Sequence, residues 1–185
     1  MNERPYQVLF LSQRNSARSI IAQALLNSMG RGKFVAHSAG VRPAAEIDPL
    51  VPEILEHAKV PAHGLRPRHV AEFAHDAAAP LDFVFTLSDT AAGEAPPTWP
   101  GQPITAHWRS TDPEHTTDLT AKRHALIQIR AELERRLRVF MNLPWATLDR
   151  MSAQRRVDEI GQDTATETPP NSATDEVQQR SSGPP

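Results

Sequence analysis

The residues with the clearest chemical potential lie in one short stretch near the start of the chain, VLFLSQRNSARS, residues 8–19. An apolar run that ends at Leu11 is followed by a polar loop, and a helix-like pattern begins at Ser19. A loop between a strand and a helix directs backbone N–H groups at one point, where the helix dipole adds a positive potential. Arg18 adds a planar guanidinium that suits the oxygens of a tetrahedral anion. The stretch predicts an anion-binding loop, although an ordinary strand-to-helix turn with a surface arginine has the same pattern.

Two further residues of this loop have predicted structural roles. Asn15 tolerates left-handed backbone better than most residues and helps the loop to curl. Ser19 is positioned either to cap the helix or to touch Ser12. The predicted anion-binding residues of the loop are Ser12, Gln13, Arg14, Asn15, Ser16, Ala17, Arg18 and Ser19.

Composition limits the possible functions. The chain has 185 residues, a formal net charge of −2 and no long basic run, so nucleic-acid binding is not expected. No segment approaches the roughly 18 apolar residues of a membrane span, and the polar start MNERPYQ does not resemble a secretory signal. We therefore expect a cytoplasmic protein with no membrane contact and no cofactor. The chain contains no cysteine, which excludes disulfides, thiolate metal sites and thiol catalysis.

Apolar patterns alternate between strand and helix along the chain, which predicts an α/β fold with a parallel sheet. Four strands are expected at 6–11, 33–38, 81–87 and 103–108. Helices are expected at 19–29, 49–58, 70–74, 119–141 and 148–160, and 88–101 is expected to be a loop. Residues 1–162 are predicted to form one domain. Residues 163–185 are rich in Thr, Ser, Pro, Gln and acidic residues and are expected to form a disordered tail.

The longest predicted helix is amphipathic. Its apolar positions, expected to face the core, are Leu119, Leu126, Ile129, Leu133, Leu137 and Phe140. Its basic residues are expected to form a solvated face, interleaved with Glu132 and Glu134. They are Lys122, Arg123, Arg130, Arg135, Arg136 and Arg138.

The loop resembles the signature loop of the low-molecular-weight protein tyrosine phosphatase superfamily, in which cysteine is followed by five residues, arginine and then serine or threonine. NSARS followed by IIAQALLN is similar to the thioredoxin-coupled arsenate reductase branch. TLSDTAAGEAPPTWPG, residues 86–101, resembles the second cysteine loop of that branch, and ITAHW with Asp112-Pro113 resembles the segment that carries the general acid. The resemblance implies a three-layer α/β fold with a four-stranded parallel sheet flanked by helices. It also adds Asp112 to the predicted oxyanion site.

The chain departs from this family at every cysteine. The resemblance puts the nucleophile at Ser12, the second cysteine at Ser88 and the third at or beside Pro96. Serine needs an adjacent base to act as a nucleophile, and no residue has a diagnostic pairing with Ser12. We therefore expect no enzymatic activity. A designed cysteine-to-serine change in an active reductase or phosphatase would explain Ser12 and Ser88 but not Pro96, so natural loss of all three cysteines is the simpler interpretation.

The predicted function is non-catalytic binding of a tetrahedral oxyanion, for sequestration, delivery or sensing. Arsenate is favoured over phosphate only through the resemblance. Asp112 either accepts a hydrogen bond from a protonated oxyanion or begins the turn at Asp-Pro, and Trp99 and Trp108 either cover the site or pack beneath a proline-rich loop. The alternative is a pseudoenzyme that acts through a protein partner.

Overall fold

The structure is a computed structural model that describes residues 4–75, 78–96, 98–113 and 116–163. All of the predicted tail except Asp163 lies outside these ranges. The strands are β1 Tyr6–Ser12, β2 Phe34–Gly40, β3 Phe83–Thr86 and β4 Ile104–His107. The helices are α1 Arg18–Met29, α2 Leu50–His57, α3 Asp89–Glu94, α4 Leu119–Met141 and α5 Arg150–Gln162, with a 3-10 turn at Val70–Glu72.

The four strands form one parallel sheet in the order β2-β1-β3-β4. Successive side chains of a strand point to opposite faces, so each strand contributes to two layers. In β1, Val8 and Phe10 belong to one apolar cluster, whereas Leu9 and Leu11 belong to another on the opposite face. The predicted α/β class and the four-stranded parallel sheet are confirmed.

The larger apolar cluster joins one face of the sheet to α1, α2, α4 and α5. Aromatic rings fill its centre, and the ring of Trp108 stacks on that of Phe85 with centroids 4.0 Å apart. Phe140 of α4 meets Phe85 edge-on at 5.3 Å. The indole N–H of Trp108 donates to the carbonyl of Val157, which fastens α5 against the sheet.

The opposite face of the sheet has a thinner cover, made by the 3-10 turn, α3 and neighbouring loops. The prediction that 88–101 is entirely loop is wrong, because α3 forms within it. Ser88 caps this short helix by accepting a hydrogen bond from the backbone N–H of Ala91, whose side chain is fully buried. Gly93 and the prolines that follow it are typical of a loop, so the sequence pattern did not indicate a helix here.

Helix α4 departs from its predicted pattern at two positions. Leu119 is 62% exposed, so it does not contribute to the core as expected. Arg136 is only 1% exposed, so its assignment to the solvated face is wrong. The other predicted core residues of α4 are buried. Within the described ranges no helix has both the length and the apolar character needed to cross a membrane.

Candidate oxyanion site

The loop between β1 and α1 is held from outside by residues 41–48. Four N–H groups of this segment donate to carbonyls of the loop, and these bonds direct the carbonyls outward, toward the segment. The N–H and C=O of one planar trans peptide point in opposite directions, so the N–H groups of Gln13, Arg14 and Ala17 are directed away from this segment. The N–H of Asn15 is used within the loop, where it donates to Ser12 Oγ. The bonds run from Val41 to Ser12 (3.3 Å), Arg42 to Gln13 (2.9 Å), Ala44 to Arg14 (2.8 Å) and Asp48 to Ser16 (2.9 Å).

The close approach of the 41–48 segment depends on Gly40. A Cβ atom at this position would lie 2.9 Å from the carbonyl oxygen of Gln13 and 3.1 Å from the carbonyl carbon of Arg14. At the far end of the segment, Asp48 is buried and forms an ion pair with Lys122 of α4. The loop is therefore anchored both to the sheet and to α4.

Helix α1 begins at Arg18, and the residue before it, Ala17, provides no side-chain cap. The first N–H groups of a helix have no partner within the helix, and they carry the positive end of its dipole. The first turn of α1 contains no acidic residue to neutralise that potential. This end of α1 is consequently suited to an anion.

Ser12, Asn15 and Ser19 form a buried hydrogen-bonded triangle behind the loop. The hydroxyls of Ser12 and Ser19 are 2.7 Å apart. Asn15 donates its backbone N–H to Ser12 Oγ at 3.1 Å and its amide Nδ2–H to Ser19 Oγ at 2.8 Å. Asn15 has a φ of 47°, as its sequence position predicted, and its Oδ1 accepts the backbone N–H of Arg68 at 2.7 Å. Ser19 touches Ser12 and does not cap the helix, which decides between its two predicted roles.

The hydroxyls of Ser12 and Ser19 carry two protons, and only one of them is used in the hydrogen bond between these residues. Each hydroxyl already accepts a bond from Asn15, and one of the two hydroxyls donates to the other. When Ser19 is that donor, Ser12 keeps its own O–H, and Ser12 lines the pocket enclosed by the loop. In that arrangement Ser12 is a neutral donor; when Ser12 instead donates to Ser19, the remaining proton belongs to Ser19.

Arg18 is almost completely buried, with 8% of its side chain exposed. Its Nη1 donates to the carbonyl of Ser110 at 3.1 Å, and its Nη2 lies 3.3 Å from a carboxylate oxygen of Asp112. These contacts hold the guanidinium at one wall of the pocket. Asp112 reaches the loop because β4, which precedes it in the chain, runs parallel to β3 and β1 and ends at the same edge of the sheet.

The predicted site residues separate into two groups. Ser12, Gln13, Arg14, Ser16, Ala17, Arg18 and Asp112 line one small pocket, whereas Asn15 and Ser19 are fully buried behind it and support Ser12. Three participants were missed: Pro113 lines the pocket, Ser110 accepts from Arg18, and the 41–48 segment holds the loop. Only Gly40, at the end of a strand, gave a sequence signal for such a close approach.

The two tryptophans do not cover the pocket. Trp108 is fully buried in the main core, and Trp99 packs against the apolar cluster on the other face of the sheet. Packing is therefore the correct alternative, although Trp108 packs against α5 and not beneath a proline-rich loop. Asp89 pairs with His107 and Arg109, away from Ser12.

The chain matches the model of the low molecular weight phosphotyrosine protein phosphatase family over residues 7–154. The chain belongs to this family. Within it, the similarity is to the arsenate reductase-like branch, with all cysteines missing.

Individual relatives agree with this assignment. A glutaredoxin arsenate reductase of Synechocystis sp. is 27% identical over 109 residues, which cover 58% of this chain and 79% of the relative. A solved thioredoxin-dependent arsenate reductase of Corynebacterium glutamicum is 28% identical, with a TM-score of 0.55, and the match covers 76% of this chain and 64% of that one. An arsenate reductase solved in a phosphate-binding state has a TM-score of 0.61 at 22% identity over 74% of this chain and 96% of that one, which shows the shared fold.

Proposed function

We propose that this protein binds a tetrahedral oxyanion, arsenate or phosphate, in the loop of residues 12–19 and releases it unchanged. The observation that carries the proposal is the intact, hydrogen-bonded loop around Ser12 in a chain with no cysteine. The candidate ligands come from the names of the relatives, which are arsenate reductases, one of them in a phosphate-binding state.

Charge supports binding without chemistry. A thiolate at position 12 would repel each unit of negative charge on an incoming anion by about 4 kcal/mol at 4 Å and an effective dielectric near 20. The neutral hydroxyl of Ser12 removes this repulsion and supplies a donor. Among the described residues the hydroxyl of Ser12 is hydrogen-bonded to Asn15 and Ser19, and neither of these side chains is a base that could activate a serine nucleophile.

The test is calorimetric titration of the full chain with arsenate, phosphate and sulfate. We expect Arg18→Ala to weaken arsenate binding at least tenfold, because each hydrogen bond to an ionised partner contributes about 1.5–3 kcal/mol. Arg18→Lys should restore only part of the affinity, because an ammonium lacks the planar fork. Arg138→Ala is the control, since Arg138 is exposed on α4 and pairs with Glu134.

Parent-like affinity in Arg18→Ala would show that the anion does not bind in this loop. Absence of binding at millimolar arsenate and phosphate would favour action through a protein partner. Turnover of an aryl phosphate, or of arsenate with thioredoxin, that disappears in Ser12→Ala would contradict the non-catalytic part of the proposal.

A further inference from the structure

Arg136 is a buried cation in the middle of α4, with 1% of its side chain exposed. Its Nη1 donates to the carbonyl of Arg109 at 3.0 Å and lies 2.8 Å from a carboxylate oxygen of Glu132. Its Nη2 donates to the carbonyl of Gly161, near the end of α5, at 3.3 Å. One side chain thus joins α4, α5 and the segment that follows β4.

A contribution to stability is not a sufficient reason for a buried cation at this position. Replacing a whole buried ion pair by apolar side chains of similar volume is often neutral or stabilising, although removing one partner alone is destabilising. Burial lowers the pKa of Arg136, and its Nε has no hydrogen-bond partner among the described residues. The fold thus keeps a buried cation that is not fully hydrogen-bonded among the described residues.

The segment held by Arg136 is the one that holds Arg18. The carbonyl of Arg109 accepts from Arg136, and the next carbonyl, that of Ser110, accepts from Arg18. Asp112 follows two residues later and pairs with Arg18. Two guanidiniums therefore bind consecutive carbonyls of one short segment.

The end of α5 is fitted closely against the same region. A Cβ atom at Gly161 would lie 2.6 Å from the carbonyl oxygen of His107 and 2.8 Å from Trp108 Cδ1. The carbonyl of this glycine also accepts from Arg136, so the close approach and the hydrogen bond fix the same piece of chain. The support for residues 107–112 is therefore built from both α4 and α5.

We propose that Arg136 is a positioning residue, which holds the 109–112 segment so that Ser110 and Asp112 orient the Arg18 guanidinium toward the oxyanion pocket. The expected effect of Arg136 on oxyanion affinity rests on the proposed function. Its effect on the order of Arg18 does not depend on any ligand.

The experiment compares the parent protein of 185 residues with Arg136→Met, Arg136→Lys and the control Arg138→Met. Phosphate affinity is measured by calorimetry, and the Arg18 side-chain N–H signals are followed by NMR without ligand. We expect at least a tenfold loss of phosphate affinity in Arg136→Met and a smaller loss, threefold or more, in Arg136→Lys, because an ammonium cannot hold both carbonyls. The chemical shifts of the Arg18 N–H groups should move toward those of a solvent-exposed arginine, more in Arg136→Met than in Arg136→Lys. Arg138→Met should match the parent in both affinity and chemical shifts.

If Arg136 only stabilised the fold, its replacement would lower the melting temperature. The phosphate affinity and the Arg18 signals, measured well below that temperature, would then stay unchanged. That result in Arg136→Met would overturn the proposal, and if this variant does not fold, parent-like affinity and signals in Arg136→Lys would do so. If the parent itself does not bind phosphate, the proposed function fails, and the ligand-free Arg18 signals still decide the role of Arg136.

Discussion

Ser12 determines what the loop can do. Its hydroxyl lies within a network that Asn15 and Ser19 complete, so a serine is accommodated here without loss of loop structure. A thiol at the same position would meet the N–H groups and the dipole of α1, which lower the pKa of a thiol.

We therefore expect Ser12→Cys to bind arsenate more weakly than the parent at neutral pH, because a thiolate would face the dianion. The affinity should recover as the pH falls and the thiol becomes protonated. Calorimetry between pH 5 and 8 measures this, with Ser28→Cys, half-buried near the end of α1, as the control. An affinity equal to that of the parent at every pH in this range would contradict the charge argument.

At the scale of elements, the loop depends on its contact with the 41–48 segment. Gly40→Ala should displace the carbonyls of Gln13 and Arg14, because the added Cβ would lie too close to both. We expect lower thermal stability and at least a tenfold loss of oxyanion affinity. Gly93→Ala is the matched control, since a Cβ there meets nothing within 4 Å and alanine favours the helix. Equal affinity in the two variants would show that the loop does not need this close approach.

The sequence predicted the elements more completely than their contacts. Local patterns identified all four strands. Residue type and spacing left the loop with Arg18 and Asn15 open between an anion-binding loop and an ordinary turn, and the resemblance to the family favoured the first. The burial of Arg136 and the contact between Ser110 and Arg18 were not predicted, because both depend on residues distant in sequence. Helix α3 was missed because its six residues contain a glycine and carry little apolar periodicity.

At the scale of the whole molecule, His37 links stability to pH. Burial, and secondarily the charge of Arg68, lower the pKa of His37 in the folded protein. The unfolded chain therefore takes up this proton first, and the contribution of His37 is complete above about pH 6.5 and is lost as the pH falls toward the folded value.

The free energy of unfolding should fall between pH 7.5 and 5.5 by at most about 1.4 kcal/mol per pH unit from this group. We expect His37→Gln to remove that part of the dependence, as measured by urea unfolding at both pH values. His63→Gln, at an exposed position, serves as the control. An unchanged pH dependence in His37→Gln would show that His37 does not carry it.

The outward-turned carbonyls of the 12–16 stretch have a kinetic consequence. Because the 41–48 segment already holds them, the arriving ion has no loop to reorganise. Association is then limited by encounter, and differences in affinity between ions appear mainly as differences in residence time. On the proposed function, the loop takes up an ion without rearranging, and the strength of the contacts to that ion sets how long it stays bound.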